Sequence, residues 1–243
     1  MTDAFLEAGA TLLDTSVSLA DFSTVLKDLL PVEGVSVSTL GPLLSSATLS
    51  ATDSLALRID ELQFDLGEGP CWDAVSAAAP VIVEDVVRNA HDRWPAFSDA
   101  IAQEPVASLM AFPINFGPLP LGAVDVYATT LVSLTVPQIR RMTGLMTILG
   151  RRVLEHALHD STRADNNLEP DPGDRFSRRA IHQATGAVLA QLNVTPEDAH
   201  LLIQGHAFAT HRTMAAVADD VLGRRLRFRQ TDAGVITEEG PDE

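Results

Sequence analysis

Residues 181–207 read IHQATGAVLAQLNVTPEDAHLLIQGHA, and residues 213–223 read TMAAVADDVLG. Their spacing predicts three short amphipathic helices in succession. In the first, Ile181, Ala184, Val188 and Leu192 fall three or four residues apart and line one helical face. The second opens at Thr195-Pro196-Glu197-Asp198: a hydroxyl at N-cap, proline at N1 and acids in the first turn. Its apolar face is Ala199, Leu202, Ile203 and His206. The third opens near Thr213 and carries Met214, Val217, Ala218, Val221 and Leu222 at unbroken helical spacing. Gly223 is the expected C′ residue that stops it, and a run from Arg224 to Arg229 follows. Gly186 and Gly205 lie mid-helix, where each costs about 1 kcal/mol relative to alanine. Close helix packing is the favoured reason for them, and room for a ligand is the other.

Charge sets this segment apart from the rest. The 243-residue chain carries a net charge of −16, which argues against nonspecific affinity for nucleic acid or membrane as a whole. Residues 1–173 hold 9 Lys/Arg against 23 Asp/Glu, residues 174–229 hold 8 Arg against 5 acids, and residues 230–243 hold 5 acids and no base. The helical segment is therefore the one cationic region, although a window this short also drifts by chance. The length allows two domains, and 46% apolar residues suffice for ordinary cores. The single cysteine, Cys71, rules out an intrachain disulfide and suits a reducing compartment. Asp3 and Glu7 stand where a signal peptide would carry bases, and no apolar run approaches the roughly 20 residues of a membrane span. A cytoplasmic location and no membrane partner are expected.

Upstream, the pattern alternates between helix and strand. A short helix is expected over 3–13, with Phe5, Leu12 and Leu13 apolar, and a clearer one over about 18–30 ending at Pro31. Residues 34–40 alternate apolar and polar, predicting a half-buried strand; Gly41-Pro42 marks a turn, and a second strand near Ala47–Ala51 would complete an antiparallel hairpin. Helical patterns at 53–63 and 70–78 flank a loop forced by Gly67, Gly69 and Pro70. A short strand covers Pro80–Val83, and His91–Pro95 opens an irregular piece or short helix. Ser108–Ile114 and Leu121–Ala128 read as two strands about a turn at Gly117-Pro118, the second apolar enough to be central but interrupted by Asp125. Thr135 and Gln138 have capping-box spacing before a long helix. Its Ile139, Met142, Met146, Leu149, Val153 and His156 form one stripe, while Leu145, Ile148 and Arg152 point another way. Packing on its own sheet and a dimer seam both fit that pattern. Residues 160–174, polar with two prolines and a glycine, read as a linker.

Two resemblances follow from these stretches. LGEGPCWDAV at 66–75, DRWP at 92–95, SLMAFPI at 108–114 and LGAVDVY at 121–127 are similar, in order, to the recurrent stretches of the GAF family of small-molecule sensors, over about 20–156. The segment 176–226 resembles the ANTAR domain, the RNA-binding three-helix module of transcription antitermination regulators. The implied fold class is α+β: an N-terminal GAF-like antiparallel sheet flanked by helices, a long connecting helix and a C-terminal three-helix bundle. The expected bounds are 1–159 for the sensor, 160–174 for the linker, 175–229 for the RNA-binding domain and 230–243 for a disordered acidic tail. The resemblance implies a homodimer that binds structured nascent RNA, with an unidentified small-molecule ligand in the sensor. Two departures stand out. Thr185 and Gln204 occupy positions where that family usually has Lys and Arg, whereas Arg212 matches a basic position.

RNA needs cations for phosphates and flat or polar groups for unpaired bases. The candidate RNA contacts are Arg178, Arg179, His182, Thr185, Gln204, His211, Arg212, Arg224 and Arg225. Candidate sensor-pocket residues are Phe64, Trp72, Asp85, Trp94, Phe97, Met110, Phe112 and Asp125; core packing competes as the role of the aromatic and Met positions. Asp125 is the exception, because a carboxylate within an apolar strand wants a partner. His206 on an apolar face reads as a satisfied core residue. Cys71 has no evident base partner and reads as a small buried residue rather than a nucleophile. No phosphate-binding loop, metal-ligand spacing or nucleophile triad appears, so no catalytic residue, metal or cofactor is expected. The alternative to an RNA-binding regulator is a non-enzymatic sensor or dimeric interaction module whose RNA affinity is weakened or lost, as Thr185 and Gln204 suggest.

Overall fold

The structure is a computed structural model and describes residues 3–40, 43–44, 46–165, 179–210, 212–231 and 234–239. The chain divides into two units, Met1–Ser177 and Arg178–Glu243.

The first unit is a five-stranded antiparallel sheet with helices on both faces. Its strands are β1 (Gly34–Thr39), β2 (Ala47–Ala51), β3 (Val81–Val83), β4 (Ser108–Phe116) and β5 (Leu119–Ala128), in the order β2-β1-β5-β4-β3. The near-continuous apolar run of β5 does take the centre. Helices α1 (Ala4–Leu13) and α2 (Phe22–Lys27) precede the sheet. Next come α3 (Ser54–Leu66), α4 (Pro70–Ala77), α5 (Val86–Asn89) and α6 (Pro95–Ile101), and α7 (Val136–Asp165) follows it. The helix expected over 18–30 is shorter, a 3-10 turn at Leu19–Asp21 running into α2.

Alternation along each strand sends side chains to two differently composed layers. Val35 and Val37 of β1, Met110, Phe112 and Ile114 of β4, and Val124 and Val126 of β5 join α1, α2 and α7 in one apolar core. The intervening residues, including Ser36, Ser38 and Asp125, lie on the opposite face and are buried as well. Alternation over 34–40 predicts a half-buried strand; all six residues of β1 are buried because both faces are covered.

Both stripes of α7 are used within this unit. Met142, Met146, Leu149 and Val153 enter the core, while Leu145 and Ile148 lie against Gly9 of α1. Arg152, only 9% exposed, donates to the carbonyls of Leu12, Asp14 and Val17 at 2.6–2.8 Å and sits 5.4 Å from the Phe22 ring centroid. It thereby satisfies carbonyls at and beyond the C-terminus of α1, the end where a cation is favoured. The expected capping box forms: Gln138 Oε1 accepts from the Thr135 N–H at 2.9 Å. α7 runs through Asp165, six residues into the stretch expected as a linker, and 166–178 lie outside the described residues.

The second unit contains α8 (Arg179–Leu192), α9 (Pro196–Ala209) and α10 (Met214–Leu222), followed by β6 (Leu226–Thr231) and β7 (Gly234–Glu239). Thr195 and Thr213 cap α9 and α10 as expected, accepting from the N–H groups of Asp198 and Ala216. Ile181, Ala184, Val188, Ala199, Ile203, Ala207, Met214, Val217, Ala218 and Val221 form the core, which Leu226 and Phe228 of β6 join.

Where a disordered tail was expected from residue 230, residues 230–231 and 234–239 belong to the paired strands β6 and β7, and 232–233 and 240–243 lie outside the described residues. Leu226-Arg227-Phe228-Arg229 alternates apolar with cationic residues, a strand pattern masked by its charge. The end of α10 also differs. Gly223 has φ −73, and the left-handed residue is Arg224 at φ 60. The Arg225 N–H bonds to the Asp220 carbonyl and the Arg224 N–H to the Val221 carbonyl, a Schellman pattern with arginine in the usual glycine place.

Within this unit neither Gly186 nor Gly205 serves close packing, since a Cβ at either would meet nothing within 4 Å among the described residues. Gly150 of α7 is the opposite case, since a Cβ there would collide with the Asn115 carbonyl oxygen of β4. Both Gly150 and Gly186 are mid-helix, so alanine brings each the same propensity gain. Gly186→Ala is expected to stabilise its unit by about 1 kcal/mol. Gly150→Ala is expected to destabilise the first unit by roughly 1–3 kcal/mol through overpacking. Hydrogen exchange resolved by residue separates the two units and checks both.

Candidate sensor interior and nucleic-acid interface

The polar face of the sheet holds a buried hydrogen-bond cluster. Asp125 lies in β5 opposite Ser36 of β1 and Ala111 of β4. Its Oδ2 accepts from Gln63 Nε2 of α3 at 2.9 Å. Gln63 Oε1 accepts the Cys71 N–H at 2.8 Å, and the Gln63 carbonyl accepts Trp72 Nε1 at 2.7 Å. One residue thus ties α3, the start of α4 and the central strand together. Gly69 makes room for it: at φ 134, a Cβ there would come within 2.7 Å of Gln63 Cγ and Oε1. One turn earlier on α3, Asp60 accepts from Ser38 Oγ at 2.6 Å and from Thr48 Oγ1.

Asp125 is 3% exposed, and among the described residues its Oδ1 has no hydrogen-bond partner. Burial raises its pKa well above the usual carboxyl range, the negative charge of Asp60 raises it further, and the Gln63 hydrogen bond opposes the shift. A protonated Asp125 is therefore the form this site favours.

The sequence-predicted pocket residues separate into several places. Trp72 and Asp125 share Gln63. Phe64, Trp94 and Phe97 are core residues, with the Trp94 and Phe97 rings edge-to-face at 6.5 Å and the Arg93 guanidinium 4.3 Å from the Trp94 centroid. Met110 and Phe112 face the α1–α2–α7 layer, away from Asp125, because strand alternation puts them on the other side. Asp85 caps α5, accepting from the Arg88 N–H at 3.1 Å. It borders an open cleft of about 420 Å³ with Arg88, Glu104, Val106, Thr129 and Leu131. Sequence reasoning missed Gln63 and Asp60. Their signal was present: both fall on the buried face of α3 beside Ala56 and Ile59, where polar residues call for partners.

In the second unit, Arg178 and His211 lie outside the described residues, and Arg179 begins α8. Burial, and after it the charge of exposed His182 on α8, holds the pKa of His200 on α9 below the usual value. Thr185 is half-buried and donates to the Ile181 carbonyl at 2.8 Å; Gln204 is half-buried on α9. His206 is half-buried and meets the Phe228 ring edge-to-face at 5.9 Å, close to its expected role.

Two of the arginines expected to meet phosphate, Arg212 and Arg225, already have a carboxylate partner. Asp220 accepts from Arg212 Nη2 and, at 2.7 Å, from Arg225 Nε; Arg212 also donates to the Ala216 carbonyl. These two guanidinium hydrogen bonds are the main reason the Asp220 pKa falls below its usual range. Arg229 pairs with Glu238 of β7 at 2.7 Å. Arg224 is exposed at its left-handed position. With the hairpin counted, residues 178–243 carry seven arginines against nine carboxylates, so the cationic surplus of 174–229 does not extend to the whole unit. Among the described residues no cluster of three or more His, Cys, Asp or Glu could hold a metal, and no helix is long and apolar enough to cross a membrane.

Comparison with known proteins fits this architecture. The GAF-domain model matches residues 10–153, and the ANTAR-domain model matches residues 176–222. The chain belongs to the GAF-domain family and carries an ANTAR domain behind the sensor unit. GAF followed by ANTAR is a regulatory architecture that joins a sensor to an RNA-binding module. No curated protein matches the chain. Among solved structures, the GAF domain of an Acinetobacter phosphoenolpyruvate-protein phosphotransferase is similar at 15% identity and TM-score 0.50, over 65% of this chain and 97% of that one. The GAF domain of the Coxiella burnetii phosphoenolpyruvate-protein phosphotransferase follows at 13% identity and TM-score 0.49, over 66% and 99%. A free methionine-R-sulfoxide reductase from Neisseria meningitidis, in complex with its substrate, matches at 17% identity and TM-score 0.44, over 64% and 89%. At these identities the likeness concerns the fold alone.

The Asp125 geometry generates a pH-dependent prediction. A carboxyl whose folded-state pKa is raised contributes stability that is complete below the unfolded-chain carboxyl pKa of about 4, and that contribution is lost as pH rises toward the folded value. Asp125→Asn keeps an acceptor for Gln63 and removes the titration. Thermal melts are expected to show the wild type losing stability relative to this variant as pH rises from about 4 to neutrality. Parallel pH profiles would contradict it.

Proposed function

We propose that this protein is a signal-responsive regulator of transcription antitermination, non-catalytic, in which the GAF unit controls an ANTAR unit that binds hairpin loops in nascent RNA. The observation that carries the reading is the three-helix unit of 179–222 within the span matched by the ANTAR model, behind a GAF fold. The chain acts as a homodimer, so that two C-terminal units hold paired hairpins and keep a terminator stem from forming. A small ligand in the GAF unit, of unassigned chemistry, is the expected signal. Arg212, Arg224 and Arg225 are the described cations offered to phosphate, with His182, Thr185 and Gln204 as polar neighbours. For Arg212 and Arg225, binding exchanges a carboxylate partner for a phosphate. A filter-binding assay with paired-hairpin leader RNAs is expected to give salt-sensitive binding. Arg212→Ala and Arg225→Ala should each weaken it and lower the slope of log K against log salt by about 1 for every phosphate left without its guanidinium. Absence of salt-sensitive binding would sink this reading.

A second reading has its own support. With Arg212, Arg225 and Arg229 ion-paired and Thr185 and Gln204 uncharged, the unit fits a dimeric interaction module of weakened RNA affinity. Under that reading Thr185→Lys combined with Gln204→Arg creates binding where the wild type has none. Strong wild-type binding, or no gain in the double variant, excludes it.

A further inference from the structure

Two carboxylates are buried between the sheet and α3, and their hydrogen bonding is unequal. Asp60 accepts from two hydroxyls, those of Ser38 and Thr48. Asp125 accepts at Oδ2 from Gln63, while among the described residues its Oδ1 has no partner. The surroundings offer its negative charge one amide and no cation. Opposite it, β1 presents Ser36 and β4 presents Ala111; α3 presents Asp60 and the neutral Gln63, and α4 meets Gln63 with the backbone of Cys71. The other acids nearby turn elsewhere, Asp73 to the Arg93 guanidinium and Glu68 to the Ala96 N–H. An ionised Asp125 therefore needs water. The sheet does not give it access, because β5 is the central strand and its far face is closed by the α1–α2–α7 core. The α4 side is held less firmly. The residues that α4 buries, Pro70, Cys71 and Ala74, are all small, whereas α7 buries Met142, Met146, Leu149 and Val153. Less apolar area on α4 means less free energy against local opening. Two of the hydrogen bonds that seat it, from the Cys71 N–H and Trp72 Nε1, end on Gln63, and its link to α3 passes through Gly67 at φ 67 and Gly69 at φ 134.

We propose that the 67–71 turn and α4 form a lid over Asp125, hinged at Gly67 and Gly69, that opens when Asp125 loses its proton and closes when the proton returns. Opening hydrates the carboxylate; the closed lid belongs to the neutral acid. Burial and the charge of Asp60 both favour that neutral acid, so the lid is closed at low pH and its closure weakens as pH rises. One buried carboxyl thereby makes the seating of α4 on the sheet respond to protons. This input to the sensor unit does not rest on the RNA-binding reading.

Cys71 reports the opening, because it is the chain's single cysteine, lies in the first turn of α4 and is 1% exposed. The full chain is labelled with 4,4′-dithiodipyridine from about pH 5 to about pH 8, where a thiol gains roughly ten-fold in rate per pH unit as its thiolate fraction grows. Opening linked to Asp125 adds up to about a further ten-fold per unit, between the open-lid carboxyl value of about 4 and the higher closed-lid value. The wild type is therefore expected to gain more per unit than Asp125→Asn, so that the ratio of their rates climbs with pH. A cysteine peptide in the same buffers supplies the same comparison if the variant does not fold, and the wild-type profile is expected to be steeper than the peptide's. Parallel profiles, or no labelling at any pH, would overturn the proposal. A lid also predicts labelling that is nearly flat in urea up to about 1 M, since little surface is exposed. Wild-type labelling that rises with urea as steeply as global unfolding would overturn it too, because Cys71 would then be reached by unfolding of the whole unit.

Discussion

The sensor sheet has to bury two faces, and one of them contains carboxylates. On the α1–α2–α7 side this is ordinary apolar packing, with Val, Met, Phe and Ile from three strands closing against Leu and Met from the helices. On the α3–α4 side Asp60 and Asp125 lie among hydroxyls and one amide. A buried carboxylate costs several kcal/mol unless it is hydrogen-bonded or neutral. Asp60 meets the first condition through Ser38 and Thr48, and a raised pKa moves Asp125 toward the second. Gln63 ties the second of these carboxylates to the backbone around it, because its amide donates to Asp125 while its side-chain oxygen accepts the Cys71 N–H at the start of α4. The placement of α3, of the turn at Gly69 and of α4 depends on that one side chain.

The second unit works under a different constraint, which is how to carry arginines without committing them. Asp220 holds two guanidiniums and Glu238 a third. Exposed pairs of this kind contribute little to stability, typically below about 1 kcal/mol. They are therefore easily exchanged for phosphate, and equally able to keep a weakly charged surface away from it. The hairpin that supplies Glu238 also supplies Leu226 and Phe228 to the core, so the charge balance and the packing of this unit come from the same few residues.

Much of the architecture was legible in the sequence for simple reasons. Period 3.6 in 181–192, 199–206 and 214–222, and period 2 in 34–40, are local signals with little competition. Threonine caps at 195 and 213 and the Thr135–Gln138 box form within a few residues and so need no tertiary help. The hairpin at 226–239 was hidden because four arginines in six residues read as a surface patch, although alternate positions carried Leu226 and Phe228. The pocket candidates Met110 and Phe112 were grouped with Asp125 by nearness in sequence and by residue type, whereas the pleat sends them to the other side of the sheet.

The order of elements, the contrast between an acidic sensor and a helical module, and the family resemblance of both could be read along the chain, because they follow from periodicity and local capping. Which polar residues meet is settled in three dimensions alone. That Gln63 reaches Asp125 across 62 positions and that Arg152 closes the end of α1 across 140 follow from how sheets and helices bring distant side chains together. Spacing along the chain carries no record of such pairings. They exist because a buried or crowded polar group must find a partner wherever the fold provides one.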